Sequence, residues 1–288
     1  MNADDEDAMI EESSAPLIEH LAELRTRLIR SVIAFVIAML ACFAFAESIL
    51  EFLVEPIGQI LRERGEDPRL IFTAPQEKFF VLFRISVVFG LGLSFPVIAH
   101  QLWRFVAPGL YSNEKRAFLP FIIASPVLFL LGASFAHYIV TPLAMRFFIG
   151  FADILPTLTD ALSTTGEVAD KEVTTVFLGS VRESLDISLK FIFAFGLCFQ
   201  LPVLLTLLGM AGIVNSESLR NMRKYAVVGI LVLAAIVTPP DVVTQVILFT
   251  VVYMLYEVSI WLVSMVERKR EAELDADQVF DDELEEEQ

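Results

Sequence analysis

The chain alternates between long apolar segments and shorter polar ones. Six stretches carry no charged side chain; they are Ser31–Ala46, Ile85–Trp103, Ala117–Met145, Phe191–Ile213, Tyr225–Thr238 and Val242–Tyr256. A bilayer core of about 30 Å needs about 20 apolar residues in a helix, and a helix satisfies its own backbone hydrogen bonds in lipid. The pattern therefore predicts an all-α integral membrane protein with six transmembrane helices.

We place the membrane domain at 14–268. Ser13 or Ser14 can cap a helix over 14–30, and Pro16 suits its first turn. A leucine stripe gives this helix an apolar face, so it is expected to lie along the membrane interface and to run into the first span. The six spans are placed at about 31–46, 79–103, 117–141, 190–213, 224–238 and 241–264.

The segments expected outside the membrane differ in length. Residues 47–78 and 146–190 form two long loops that mix apolar and polar residues, so they are expected to fold as helical caps. Spans 5 and 6 are predicted to be short, because Tyr225–Thr238 would reach only about 21 Å as a helix before the turn at Pro239 and Pro240. Such a hairpin predicts local thinning of the bilayer.

Charge predicts the orientation and the character of the ends. Lys and Arg cluster before span 1, between spans 2 and 3, between spans 4 and 5, and after span 6, so the positive-inside rule puts both termini in the cytoplasm. The net charge of -16 comes from acids at 4–12 and 271–287, where there is no Lys or Arg. Residues 1–13 and 269–288 are therefore predicted to be acidic, disordered tails.

The motifs for catalysis are missing from the sequence. There is no P-loop, no G-x-S-G or G-x-S-x-G motif around a serine nucleophile, and no H-E-x-x-H motif. The two cysteines lie in different apolar segments. We therefore predict that the chain is not an enzyme and needs no metal or cofactor. Any transport would depend on a partner or an ion gradient.

A few polar residues stand at positions that matter in a membrane. Glu23 can pair with Arg27 one helical turn away, and Glu114 can favour the start of a helix, although either carboxylate can instead bind a ligand. Gln200 precedes Pro202, where a kink is expected; it can form a bond within the bundle or a contact with a partner. Asp241 can cap span 6, and Glu257 must be paired, protonated or near water.

Four motifs, in order along six predicted spans, resemble the TatC family, the multispanning core of the twin-arginine protein translocase. The resemblance covers about 17–268. The motifs are His20-Leu21-Ala22-Glu23-Leu24-Arg25; Trp103-Arg104-Phe105-Val106-Ala107-Pro108-Gly109-Leu110-Tyr111 with Glu114-Lys115-Arg116; Phe195-Gly196 with Phe199-Gln200-Leu201-Pro202; and Thr238-Pro239-Pro240-Asp241.

The resemblance implies a receptor that binds twin-arginine signal peptides at the cytoplasmic face. By resemblance, Glu23 and Glu114 hold the two arginines, and Leu24, Arg25 and Phe105 shape the same surface. Adjacent arginines point in different directions, so two carboxylates on separate segments can satisfy both. Bidentate guanidinium–carboxylate pairs would be lost with lysine.

The resemblance also implies partners. TatA- and TatB-type single-span proteins would join the chain in a multi-copy assembly that moves folded cargo across the prokaryotic cytoplasmic membrane, driven by the proton-motive force. Contacts with them are implied for Gln200, Asp241, Gln245 and Pro56. Family members often have Glu where this chain has Gln200, and glutamine cannot carry a proton.

An ion-coupled transporter of small solutes is the alternative interpretation. Gln200, His137 and Glu257 would then form a polar path between the spans. This alternative predicts solute flux in liposomes that contain this chain alone, whereas the receptor predicts preference for twin-arginine over twin-lysine peptides.

Overall fold

The computed structural model describes residues 3–65, 67–106, 119–162, 179–239 and 241–286. Within these ranges the chain is helical and has no β-strand, apart from one isolated parallel bridge between Ile71 and Ser180. The all-α prediction is confirmed. The helices are α1 (Ala3–Ala44), α2 (Ala46–Glu63), α3 (Glu77–Val106), α4 (Leu119–Phe135), α5 (Thr141–Leu162), α6 (Val181–Cys198), α7 (Leu201–Met210), α8 (Ser216–Asn221), α9 (Arg223–Val237) and α10 (Val242–Glu286).

Five helical segments in the described ranges are long and apolar enough to cross a membrane. They are Leu21–Ala44, Glu77–Leu102, Ile123–Phe151, Val181–Met210 and Val242–Arg270. The chain is therefore a multi-pass membrane protein. Helix α9, with 15 residues, is shorter than these five segments, so the sixth span stays a prediction.

The last helix differs from the prediction of a short span 6. Helix α10 has 45 residues, and its apolar part runs over 29 residues from Val242 to Arg270. In the sequence the charge of Glu257 ends the uncharged stretch. In the structure its carboxylate accepts a 2.7 Å hydrogen bond from Arg223 Nη2. A paired charge does not end a helix, and apolar residues continue beyond it.

The helices at both ends of the chain run into the acidic segments, since α1 begins at Ala3 and α10 continues to Glu286. Ala, Glu and Leu form helices readily, and acids near the start of α1 complement its dipole. Acids near the end of α10 oppose the dipole, so only helix propensity favours helix there. The disorder predicted for 1–13 and 269–288 stays a prediction.

Two interruptions shape the long apolar segments. Ala136–Val140 form a π-helical turn that joins α4 to α5. Between α6 and α7 the helix breaks at Phe199 and Gln200, because Pro202 has no N–H to donate to the carbonyl four residues earlier. The kink predicted at Pro202 is confirmed.

The chain divides into two compact units. The first comprises Met1–Phe45 and Ser86–Val127, and the second comprises Ala46–Ile85 and Leu128–Gln288. In the second unit, α2 buries one face, with Ile57, Ile60 and Leu61 against Met145 and Ile149 of α5. Helix α6 buries side chains on every turn, and Phe191 and Phe195 are fully buried.

Glycines allow α4 and α6 to approach each other closely within the second unit. A Cβ on Gly132 would lie 2.5 Å from the carbonyl oxygen of Phe195, and a Cβ on Gly196 would lie 2.8 Å from the ring of Phe129. Each helix thus presents a glycine where the other presents a bulky residue. Small residues at such crossings let membrane helices pack backbone to backbone.

A cluster that we call the Glu77 clasp joins the segment before α3 to the start of α6. Glu77 is buried, and its Oε2 accepts hydrogen bonds from the backbone N–H of Thr73 (2.6 Å) and Ala74 (3.2 Å) and from the Thr73 hydroxyl (2.7 Å). Its Oε1 accepts one from the Ser180 hydroxyl (3.3 Å). The β-bridge between Ile71 and Ser180 adds a hydrogen bond from the Ile71 N–H to the Gly179 carbonyl oxygen (3.0 Å).

Candidate functional site

The candidate recognition site begins on α1, in the first unit. Helix periodicity puts Glu23 and Arg27 on one face, and Arg27 donates hydrogen bonds from Nε (3.1 Å) and Nη2 to the same carboxylate oxygen, Glu23 Oε1. The i,i+4 pair expected from the sequence is confirmed. It holds the Glu23 carboxylate in a fixed, half-buried position.

Glu23 lines a recess of about 360 Å³ in the first unit, which we call the α1 recess. Its walls are Ala22, Glu23, Thr26, Arg27 and Arg30 of α1, and Arg104 of α3. One carboxylate thus faces three guanidinium groups. Among the lining residues the charge is positive, so Glu23 alone does not make the recess attractive to a cationic peptide.

The other described residues implied by the resemblance do not line the recess but stand next to lining residues in the sequence. Leu24 and Arg25 are exposed on α1, next to Glu23 in sequence, and Phe105 is half-buried, next to Arg104. Glu114 lies outside the described residues. The structure therefore brings Glu23 together with Arg104, while the pairing of Glu23 with Glu114 stays a prediction.

Three basic residues of the α1 recess were not among the predicted site residues. Arg27, Arg30 and Arg104 line it, yet in the sequence Arg27 was expected only as the partner of Glu23, and Arg30 and Arg104 served to orient the spans. Arg104 stands between Trp103 and Phe105 at the end of a predicted span, where basic and aromatic residues are common, so this tripeptide alone does not mark it as a site residue. No sequence signal connects Arg104 to Glu23, 81 positions away.

The second group of predicted residues lies in the second unit. Gln200 is half-buried at the break between α6 and α7, and Gln245 is half-buried in the first turn of α10. Pro56 is half-buried inside α2, beside the buried Ile57. Gln200 and Gln245 thus place polar groups at a helix break and near a helix start, whereas Pro56 lies in the interior of α2.

Asp241 caps α10, as the sequence predicts. Its Oδ2 accepts the Thr244 N–H at 2.7 Å and its Oδ1 accepts the Thr244 hydroxyl at 2.5 Å, with both side chains buried. This is the geometry of a helix N-cap, in which a side-chain oxygen satisfies an amide that has no partner within the helix.

Replacing Asp241 with alanine is expected to lower the free energy of unfolding by about 1 kcal/mol, because the cap is lost. Asp241→Asn keeps a capping oxygen and is expected to keep most of the stability. Thermal unfolding of the purified variants in detergent measures both effects. Equal melting temperatures for Asp241→Ala and the unmodified protein would contradict the capping role.

The transporter alternative places His137 and Glu257 on one polar path, but in the structure each contacts a residue outside that path. His137 is buried in the π-helical turn and stacks on Phe52 with ring centroids 4.3 Å apart. Glu257 pairs with Arg223. Within the described residues, no group of three or more His, Cys, Asp or Glu could hold a metal ion.

Comparison with known proteins identifies the family. The model of the family described as "Sec-independent protein translocase protein (TatC)" matches residues 19–250. A Sec-independent protein translocase protein TatC of Magnetococcus marinus is 43% identical over 278 residues, covering 94% of each chain. One of Aquifex aeolicus is 41% identical, covering 88% of this chain and 97% of its own.

A solved structure supports the same assignment. A crystal structure described as twin arginine translocase receptor TatC matches with a TM-score of 0.69 and 40% identity, covering 86% of this chain and 99% of the solved one. The family is a component of a protein translocase and not a class of enzymes. With a matching family model, close relatives and a matching fold, the chain belongs to the TatC family.

Proposed function

We propose that the chain is the receptor and core subunit of a twin-arginine translocase, binding signal peptides at the cytoplasmic face. It lies in a prokaryotic cytoplasmic membrane, crosses it six times and keeps both termini in the cytoplasm. TatA- and TatB-type proteins assemble on it, and folded cargo crosses at the expense of the proton-motive force. The observation that carries the proposal is the Glu23 carboxylate, held in the α1 recess of a chain in this family.

The geometry of Glu23 suits recognition of a guanidinium group. Both hydrogen bonds from Arg27 are accepted by Oε1, so the carboxylate binds a guanidinium group in the structure, and an arginine of a signal peptide would present the same group. An incoming arginine can exchange with Arg27, which leaves one guanidinium–carboxylate pair in place of another. Such an exchange costs little, because an i,i+4 pair on a helix contributes only about 0.2–0.5 kcal/mol.

The positive charge of the α1 recess explains why a second carboxylate is needed. Arg27, Arg30 and Arg104 would repel a peptide that carries two arginines. Glu114, expected on the segment before span 3, supplies the second negative charge and a partner for the second guanidinium. Recognition by this scheme requires both acids together, not either one alone.

Assembly of single-span partners is assigned to the second unit. Gln200 stands at a helix break where Pro202 leaves a backbone carbonyl without its helical donor. Asp241 and Gln245 lie one turn apart at the start of α10, and Pro56 lies within α2. Polar contacts between membrane helices contribute about 0.6 kcal/mol each, so several are needed for a stable partner.

The hairpin of α9 and α10 predicts a thin membrane. Arg223 and Glu257 form an ion pair, and both lie about 21 to 23 Å along their helices from the turn at Pro239. Charged groups are most stable near water, so this ion pair favours a membrane surface that lies closer to the turn than in a bilayer of full thickness. Electron microscopy of the protein in nanodiscs is expected to show local thinning beside α9; uniform thickness there would contradict the prediction.

The proposed function is tested by peptide selectivity. A fluorescent twin-arginine signal peptide is expected to bind the detergent-purified protein at least tenfold more tightly than its twin-lysine counterpart, because lysine cannot form the bidentate pair. Fluorescence anisotropy measures both affinities. Equal binding of the two peptides would overturn the receptor assignment, and solute flux in liposomes containing this chain alone would support the transporter alternative instead.

A further inference from the structure

A second recess lies in the second unit, between the segment α8–α9 and helix α10. It measures about 340 Å³, and we call it the α10 recess. Three arginines, one glutamate and exposed apolar side chains surround it; the residues used below are Arg220, Arg223, Glu257, Trp261, Met265 and Arg268. The proposed recognition of signal peptides makes no use of this recess.

The charge of the α10 recess is unbalanced. Arg223 pairs with Glu257, while for Arg220 and Arg268 no ion pair is formed with any residue that the structure describes. Two guanidinium groups therefore face one cavity without a counterion from the described chain. Arginine binds phosphate oxygens in a bidentate manner, so this arrangement suits a phosphate group. The first turn of α9 adds the positive end of its helix dipole.

Neighbouring contacts hold together the two segments that carry Arg220 and Arg268. Leu219, next to Arg220, accepts a 2.7 Å hydrogen bond on its carbonyl from the buried Tyr256 hydroxyl. Glu267, next to Arg268, accepts the Ser216 N–H at 2.8 Å and the Ser216 hydroxyl. The loop segment is thereby locked to α10, and the recess is preformed rather than assembled by its ligand.

An exposed apolar stripe on α10 leads to the recess. Met254, Val258, Trp261 and Met265 follow the spacing of one helical face, and Trp261 is 61% exposed. The stripe is about 16 Å long. Tryptophan with its polar N–H is typical of the boundary between lipid chains and headgroups. An apolar chain lying along the stripe would bring an attached phosphate to the arginines.

From these contacts we infer that the α10 recess binds the headgroup of an anionic phospholipid, with one acyl chain along the Met254–Met265 stripe. Arg220 and Arg268 hold the phosphate, Arg223 adds charge at the rim, and Trp261 marks the level of the headgroup. Basic recesses between membrane helices are known to hold acidic lipid headgroups. The inference depends on the membrane location of the chain and not on signal-peptide binding.

The inference is tested by native mass spectrometry of the full chain in detergent, offered equal amounts of phosphatidylglycerol and phosphatidylcholine. Phosphatidylglycerol is expected to be retained preferentially. The variant Arg220→Gln with Arg268→Gln is expected to bind it about 30-fold more weakly, since each basic residue contributes about fivefold near an anionic lipid. Arg268→Gln alone is expected to lose about fivefold.

A matched control removes two charges elsewhere. Arg69 and Arg182 are exposed in the same unit, away from the α10 recess, and their double change to glutamine is expected to leave retention unaltered. Trp261→Ala, which leaves every buried residue in place, is expected to weaken retention of phosphatidylglycerol, because it removes apolar surface from the Met254–Met265 stripe. Equal retention of both lipids, an equal loss in the control, or complete displacement by millimolar inorganic phosphate would each overturn the lipid assignment.

Discussion

Replacing Glu23 with glutamine is expected to weaken binding of a twin-arginine signal peptide by about 10-fold to 100-fold. Glutamine keeps the shape and the helix but removes the charge, and a hydrogen bond to a charged group contributes about 1.5–3 kcal/mol. Glu114→Gln is expected to cause a loss of similar size, because each arginine needs its own carboxylate. Fluorescence anisotropy with a labelled peptide and detergent-purified protein measures both.

Arg27→Gln separates recognition from helix stability. It removes the same ion pair as Glu23→Gln but keeps the carboxylate, so binding is expected to stay equal or to become up to about twofold tighter. If Glu23 served only to hold Arg27, the two variants would behave alike. Glu217→Gln, at an exposed position in the first turn of α8, is the control for loss of a carboxylate and should bind normally.

Gly132→Ala is expected to lower the free energy of unfolding by about 1–3 kcal/mol. The added Cβ would lie 2.5 Å from the Phe195 carbonyl oxygen, so a backbone of α4 or α6 would have to move. Gly196→Ala meets the ring of Phe129 instead and is expected to cost less, because a side chain can adjust. Thermal unfolding in detergent, followed by circular dichroism, ranks the three proteins.

Gly229→Ala is the matched control for this packing prediction. Gly229 lies inside α9, and a Cβ there would meet nothing within 4 Å. Alanine favours helix over glycine by about 1 kcal/mol, so this variant is expected to be as stable as the unmodified protein or slightly more stable. If Gly132→Ala had the same melting temperature as Gly229→Ala, the α4–α6 crossing would tolerate a wider spacing.

Features that depend on neighbours in sequence could be predicted. The Glu23–Arg27 pair follows from i,i+4 spacing, the break before Pro202 from the missing N–H, and the cap at Asp241 from the residue type before an apolar helix. Hydropathy located the five long apolar helices because it sums over the residues of one continuous segment. The pair, the break and the cap act within one or two helical turns.

Features that depend on distant residues could not be predicted. In the sequence the charge of Glu257 ends the sixth apolar segment. The residue that pairs with this charge, Arg223, lies in another helix, so the sequence around Glu257 does not reveal it. Arg104 reaches the α1 recess through the packing of α3, and the π-helical turn at 136–140 has no residue pattern that distinguishes it from ordinary helix. In the acidic ends, local helix propensity and high net charge predict opposite outcomes, so the disorder predicted there stays a prediction.

The Glu77 clasp imposes an order on the biogenesis of the chain. Glu77 lies 103 residues before Ser180, the residue that completes its set of hydrogen bonds. A ribosome must therefore synthesise the third apolar helix and the segment after it before the clasp can close. Until then Ile71 lacks its hydrogen bond to Gly179, and of the clasp only the bonds from Thr73 and Ala74 to Glu77 can form. Closure of the clasp thus waits until the chain has reached the start of α6, so the segment before α3 gains these hydrogen bonds only after the third apolar helix has been made.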